Sequence, residues 1–149
     1  MRAMATQPRL RRAAGWSTSR QAVVDRLFVY GSLRAGQAAR SLIADHVVAS
    51  QPATIHGQIY ALADSFPGYL PGKTGIVIGE VLVLSDLAAA FALLDAYEGE
   101  EFIRRLQEAT LVGDGTRVWA WCYLLASPDL AEGADLIATG DWAKYLNGG

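Results

Sequence analysis

Cysteine is nearly missing from this chain. Cys122 stands alone among 149 residues, so no internal disulfide can form. Histidine is almost as scarce: His46 and His56, with one cysteine, are too few for a zinc cluster, and no metal site is expected. Charged residues make up only 19% of the chain against 52% hydrophobic, a balance that favours a compact fold over a disordered one. No apolar run approaches the length of a membrane span, so no membrane partner is expected. A reducing cytoplasm fits this cysteine usage.

What charge there is lies unevenly. Six arginines and one acid, Asp25, precede Leu27, whereas from Leu27 onward seven Lys or Arg face fourteen Asp or Glu. The acidic part argues against a nucleic-acid partner. Residues 1–26 carry Arg and Ser and almost no acid, a composition shared by organelle addresses and nucleic-acid arms. The plain expectation is a flexible basic tail followed by one domain over 27–149, which is the size of an ordinary single domain.

Leu27 to Val29 is a short apolar run with the composition of a buried strand, and Gly31 breaks it. Glycine permits positive φ and lets another group approach the main chain closely. Ser32 and Leu33 then carry successive N–H groups away from the strand end, an array suited to a carboxylate or an oxyanion. An ordinary turn is the competing reading.

Helix-like spacing of Ala38, Ala39, Leu42 and Ile43 predicts a short helix or helical turn within 35–45. Residues 53–62 read as a strand, with Gly57 marking a bulge or a close approach. Residues 64–75 read as a loop, because Pro67-Gly68 and Pro71-Gly72 are turn signals. Ile76 to Leu84 is apolar on both faces, the mark of a central strand. Ser85 is expected to cap a helix, with Asp86 in its first turn, Glu98 at its end and Gly99 just beyond. Residues 102–112 and 117–125 form a hairpin around Gly113-Asp114-Gly115. In the second of these strands Trp119, Trp121 and Tyr123 share one face. A short helix is expected after Pro128. The order does not alternate βαβ, so the fold class is α+β: a small mixed β-barrel or strongly curved sheet flanked by helices.

Among the acids, Glu98 has the most telling position. At ~100° per residue it falls on the apolar stripe of Leu87, Phe91 and Leu94, one turn beyond Leu94. A carboxylate there is either desolvated against a cleft, which would make it a better base near neutral pH, or turned to solvent at a frayed helix end. Glu100 and Glu101 lie past Gly99 and read as a solvated turn. Glu80 reads as an ion-pair partner of Arg104, Arg105 or Arg117. Ser32 lacks the surroundings of a nucleophile elbow, and neither histidine is placed as its base. Cys122 alternates with Ala120 and Leu124 and reads as core.

The string Leu27-Phe28-Val29-Tyr30-Gly31-Ser32-Leu33-Arg34 resembles the opening strand and loop of the γ-glutamylcyclotransferase-like superfamily. Leu94-Asp95-Ala96-Tyr97-Glu98-Gly99 and Gly140-Asp141-Trp142 match in the same order, so the resemblance runs from about Leu27 to Tyr145. It implies a small closed or strongly curved β-barrel flanked by helices. It further implies cyclisation of a small-molecule γ-glutamyl substrate to 5-oxoproline, with release of an amine or amino acid and no cofactor. Glu98 matches the proton-transferring glutamate. Tyr30, Gly31, Ser32 and Leu33 match the substrate-binding loop, and Tyr123 a tyrosine near the ligand. Phe102 departs from the pattern, standing where many members carry a tyrosine. A non-catalytic module that binds a small ligand or a partner in the same cleft is the second reading.

Overall fold

A computed structural model describes residues 23–62 and 66–148. The expected flexible tail lies outside the described residues up to position 22. Its expected boundary at 26 falls inside the first strand, because Arg26 already pairs with Val83.

Strand β1 (Arg26–Val29) is followed by two 3-10 turns, Arg40–Leu42 and Ala44–His46, where the spacing predicts a helical segment. Long strands β2 (Val47–Leu62) and β3 (Phe66–Leu84) come next, then helix α1 (Leu87–Glu98), the hairpin of β4 (Phe102–Leu111) and β5 (Arg117–Leu125), a two-residue β6 (Asp135–Leu136) and helix α2 (Trp142–Leu146). The strands run in the order β3-β1-β5-β4-β2, and β2 pairs again with β3, so five strands close into a barrel with β6 added beside β2. Among the described residues only the β1–β5 contact, Leu27 to Trp121, is parallel. The chain therefore has the α+β fold expected of it, a closed mixed barrel flanked by helices.

Alternation along the strands explains two cores. Phe28, Ile55, Ile59, Tyr69, Val77, Val81, Ala109 and Cys122 come from all five barrel strands and fill its inside. Leu27, Val29, Leu82 and Leu84 point the other way and pack with Ala90 and Leu94 of α1, Leu33 and Ile43. Successive residues of β1 and β3 thus feed opposite cores, the reason both strands read as apolar on both faces.

Three local expectations need correction. Residues 66–75 belong to β3 and are not loop: Phe66 to Pro71 pair with β2 in an unbroken register from Leu62–Phe66 to Gly57–Pro71. Proline is tolerated because this part of β3 pairs with β2 alone, β1 meeting it only at 80–83, so an N–H can be lost on the open side. The turn signal survives as a register step. His56 pairs with Ile76 and Gly57 with Pro71, leaving residues 72–75 of β3 out of the ladder, and Gly57, at φ 136°, is a site of close approach, where a Cβ would lie 2.5 Å from the Leu70 carbonyl oxygen. Strand β2 starts at Val47, earlier than its apolar pattern suggests. Ser85 does not cap α1; Asp86 takes the N-cap position, in the left-handed conformation at φ 49° and with no capping bond from its side chain, while the Ser85 N–H and hydroxyl turn back to the His46 carbonyl. At the other end Gly99 closes the helix at φ 77° as expected.

Candidate active site

The loop after β1 is built from contacts that its own sequence does not reveal. The Tyr30 hydroxyl donates to the Tyr123 carbonyl at 2.7 Å and ties the end of β1 to β5. Gly31 does not adopt positive φ; its missing side chain matters because a Cβ would lie 2.7 Å from Pro67 Cγ and 3.0 Å from Cδ. The chain then turns, with the Arg34 N–H on the Gly31 carbonyl at 3.0 Å and the Ala39 N–H on the Ser32 carbonyl at 2.9 Å. Glu80 holds this turn from β3. It accepts from the Ala35 N–H at 3.1 Å and from Arg40 Nη1 at 2.9 Å, and Arg40 also donates to the Leu33 carbonyl at 3.3 Å. Glu80 is therefore an ion-pair residue, but its partner is Arg40 rather than Arg104, Arg105 or Arg117: the barrel brings the centre of β3 beneath the loop. Arg34 pairs at 3.0 Å with Asp141, which also caps α2. Gly140, beside it, lies so close to β3 that a Cβ would meet the Ile76 carbonyl oxygen. Among the described residues, the N–H groups of Gly31, Ser32 and Leu33 find no backbone carbonyl, so three donors remain on one loop.

Glu98 ends α1 directly over this loop. A cavity of about 280 Å³ lies between them, lined by Tyr30, Gly31, Ser32, Leu33, Glu98 and Tyr123 together with Phe28, Val29, Phe66, Pro67, Tyr97 and Phe102. All six residues singled out from the sequence therefore meet in one place. Among the described residues no lining side chain is cationic, and Glu98 is the only carboxylate. Its side chain makes no hydrogen bond to another described residue, and burial pushes its pKa from the ordinary 4.5 up to about 7. A group of this kind changes protonation state near neutral pH, the property asked of a general base. Cys122, in the barrel core, has its thiol pKa pushed up by burial and then by the charge of Glu98, so it stays neutral.

Two further contacts at the cavity were not legible. Ser32 Oγ lies 2.8 Å from the Tyr97 hydroxyl, joining loop to helix. The Tyr123 hydroxyl donates to Asp95 Oδ1 at 2.5 Å, and Arg104 grips the same carboxylate through Nε and Nη2, each at 3.1 Å. Asp95 and Tyr97 sit in the second motif string, which was their one available signal. Phe66 and Pro67 were missed because their segment read as loop.

Comparison with known proteins gives matches over the same region. The family model described as gamma-glutamyl cyclotransferase, AIG2-like, matches residues 27–144. A gamma-glutamylcyclotransferase family protein, ytfP, of Citrobacter rodentium is 35% identical over 119 residues, which cover 78% of this chain and 94% of that protein. The solution structure of ytfP from Escherichia coli superposes with a TM-score of 0.55 at 32% identity, covering 81% of this chain and 98% of that one. YkqA from Bacillus subtilis gives a TM-score of 0.65 at 23% identity, over 83% of this chain and 41% of that protein.

Proposed function

The chain belongs to the gamma-glutamyl cyclotransferase, AIG2-like family, and from that premise we propose that it converts a γ-glutamyl amide or amine into 5-oxoproline, releasing an amine or amino acid. The observation that carries this reading is the pairing, across one cavity, of a desolvated Glu98 with the unengaged N–H groups of Gly31, Ser32 and Leu33.

The reaction is intramolecular. Glu98 takes a proton from the substrate α-ammonium, and the freed amine attacks the γ-carbonyl of the same molecule to close a five-membered ring. The tetrahedral intermediate then expels the leaving nitrogen with the proton that Glu98 returns, while the ring nitrogen gives up its second proton, which the released amine takes up to depart as an ammonium. Ring closure supplies proximity without a second substrate, so the protein needs only to fold the substrate, assist proton transfer and stabilise charge. The loop N–H donors suit the substrate carboxylate or the developing oxyanion. All bonds made and broken lie within the substrate and the shuttled proton, and the scheme calls on no cofactor.

The test is incubation with a panel of γ-glutamyl dipeptides and γ-glutamyl amines, with 5-oxoproline measured by mass spectrometry. Turnover is expected with at least one class, falling by about two to four orders of magnitude in Glu98→Gln. A covalent adduct trapped on Ser32, or undiminished turnover in Glu98→Gln, overturns the mechanism. Saturable binding of the panel without 5-oxoproline leaves the non-catalytic binding module as the reading.

A further inference from the structure

The Tyr123 hydroxyl has one proton to give, and the structure shows where it goes. The donor is committed to Asp95 Oδ1 at 2.5 Å, a bond strengthened by the acceptor's charge. Asp95 cannot swing away freely, because Arg104 binds both its oxygens in a bidentate fork. Arg104 is itself fixed, its guanidinium carbon 4.0 Å from the Phe91 ring centroid and 5.1 Å from that of Trp121. A chain of contacts thus runs from the outer face of α1 and β5 to a phenol in the cavity wall. With its proton turned toward Asp95, the phenol oxygen has only lone pairs left to offer, one toward the neighbouring Arg104 guanidinium and one toward the cavity. It lines the same cavity as Glu98, whose charge it feels.

We propose that Asp95, braced by Arg104, is a positioning residue that fixes the Tyr123 hydroxyl as a hydrogen-bond acceptor toward the cavity, so that Tyr123 and Glu98 together select ligands presenting a primary ammonium. The inference deepens the cyclotransferase reading and rests on it for the placement of the substrate α-ammonium. It gives the cavity two ends of opposite polarity: acceptors at Glu98 and Tyr123, donors at the loop of Gly31 to Leu33. A γ-glutamyl head group, with ammonium and carboxylate on one carbon, matches that polarity. Without Asp95 the phenol is free to turn its proton inward, where it would meet the ammonium donor to donor.

L-glutamate and glutarate differ only in the α-ammonium, and neither carries a leaving amine. Their dissociation constants are measured by NMR titration on the full chain, on Asp95→Ala, on Tyr123→Phe and on the double variant. A ratio of two dissociation constants on one preparation does not depend on the folded fraction, and Tyr123→Phe removes a single oxygen, so the comparison survives a loss of stability. The unaltered protein is expected to prefer L-glutamate. Either single change should cut that preference about tenfold, the scale of one charge-assisted hydrogen bond. The double variant should fall no further than Tyr123→Phe alone, because Asp95 acts through the phenol. An unchanged preference in Asp95→Ala overturns the inference. So does a double variant that loses the product of the two single effects, since Asp95 would then act by its charge alone, and so does an unaltered protein with no preference. Assaying 5-oxoproline release on the same preparations separates the two ideas. Turnover with an unchanged preference sinks this inference only, whereas an Asp95-dependent preference without turnover upholds it and sinks the cyclotransferase reaction.

Discussion

Replacing Glu98 by Gln should make the protein more stable at alkaline pH and leave it nearly unchanged in acid. The carboxyl has a pKa of about 7 in the folded chain against an ordinary 4.5. The folded state therefore holds this proton more tightly than the unfolded state does. The associated stability is fully present below 4.5, is lost as the pH rises from there to about 7, and stays lost above. At about 1.4 kcal/mol for each tenfold change in acidity, the charged carboxylate costs the folded state roughly 3 kcal/mol at pH 8.5. Glutamine keeps the volume and removes the charge. Its amide still lacks a partner in the cavity, which returns a cost of about 1 kcal/mol. The net gain near pH 8.5 is about 2 kcal/mol, or a rise in Tm on the order of 5 °C for a domain of this size. Near pH 4.5 both proteins carry a neutral group and the gain should vanish or reverse slightly. The assay is thermal or urea unfolding of both proteins at the two pH values. An offset of the same size and sign at both would show that Glu98 ionises as it does in water. That result would remove the physical basis for calling it a base, whatever the family suggests.

Gly31→Ala should lower Tm and weaken ligand binding together, because its Cβ would lie 2.7 Å from the Pro67 ring; the loss in a thermal melt should be about 1–3 kcal/mol. The same change at Gly113, where a Cβ meets nothing within 4 Å, should do far less, and equal losses at the two sites would refute the close-approach argument. Arg40→Met leaves the half-buried Glu80 carboxylate with one backbone donor in place of an ion pair. It should loosen the loop, raising KM more than it lowers kcat, and a change confined to kcat would count against the anchoring role.

Local pattern sufficed wherever one strand or helix determined its own fate. Two-sided apolar runs at Leu27–Val29 and Ile76–Leu84 announced strands buried on both faces. The β4–β5 hairpin followed from its glycines and its alternation. Helix α1 was legible to its last residue, because Gly99 supplies the left-handed stop and the Leu87, Phe91, Leu94 stripe carries Glu98 with it. That stripe gives Glu98 the most telling position among the nearby acids, while its choice as candidate base came from the family resemblance. What the sequence could not settle was every feature whose partner lies far along the chain. Phe66 to Pro71 carry turn residues, yet pairing with β2 makes them strand, since an open edge tolerates proline. Glu80 is one acid among several in the sequence, and only barrel closure sets it under Arg40 and the Ala35 N–H. Gly31 reads as a residue needing positive φ, but the reason for it is the ring of Pro67, 36 residues away. The value of Glu98 near 7 depends on burial, which no helical wheel supplies. The direction of the Tyr123 proton depends on Asp95 and Arg104, brought together from a helix and the neighbouring strand. Local composition fixes which segments can bury a face; only the closed barrel decides which polar groups are then brought to face one another.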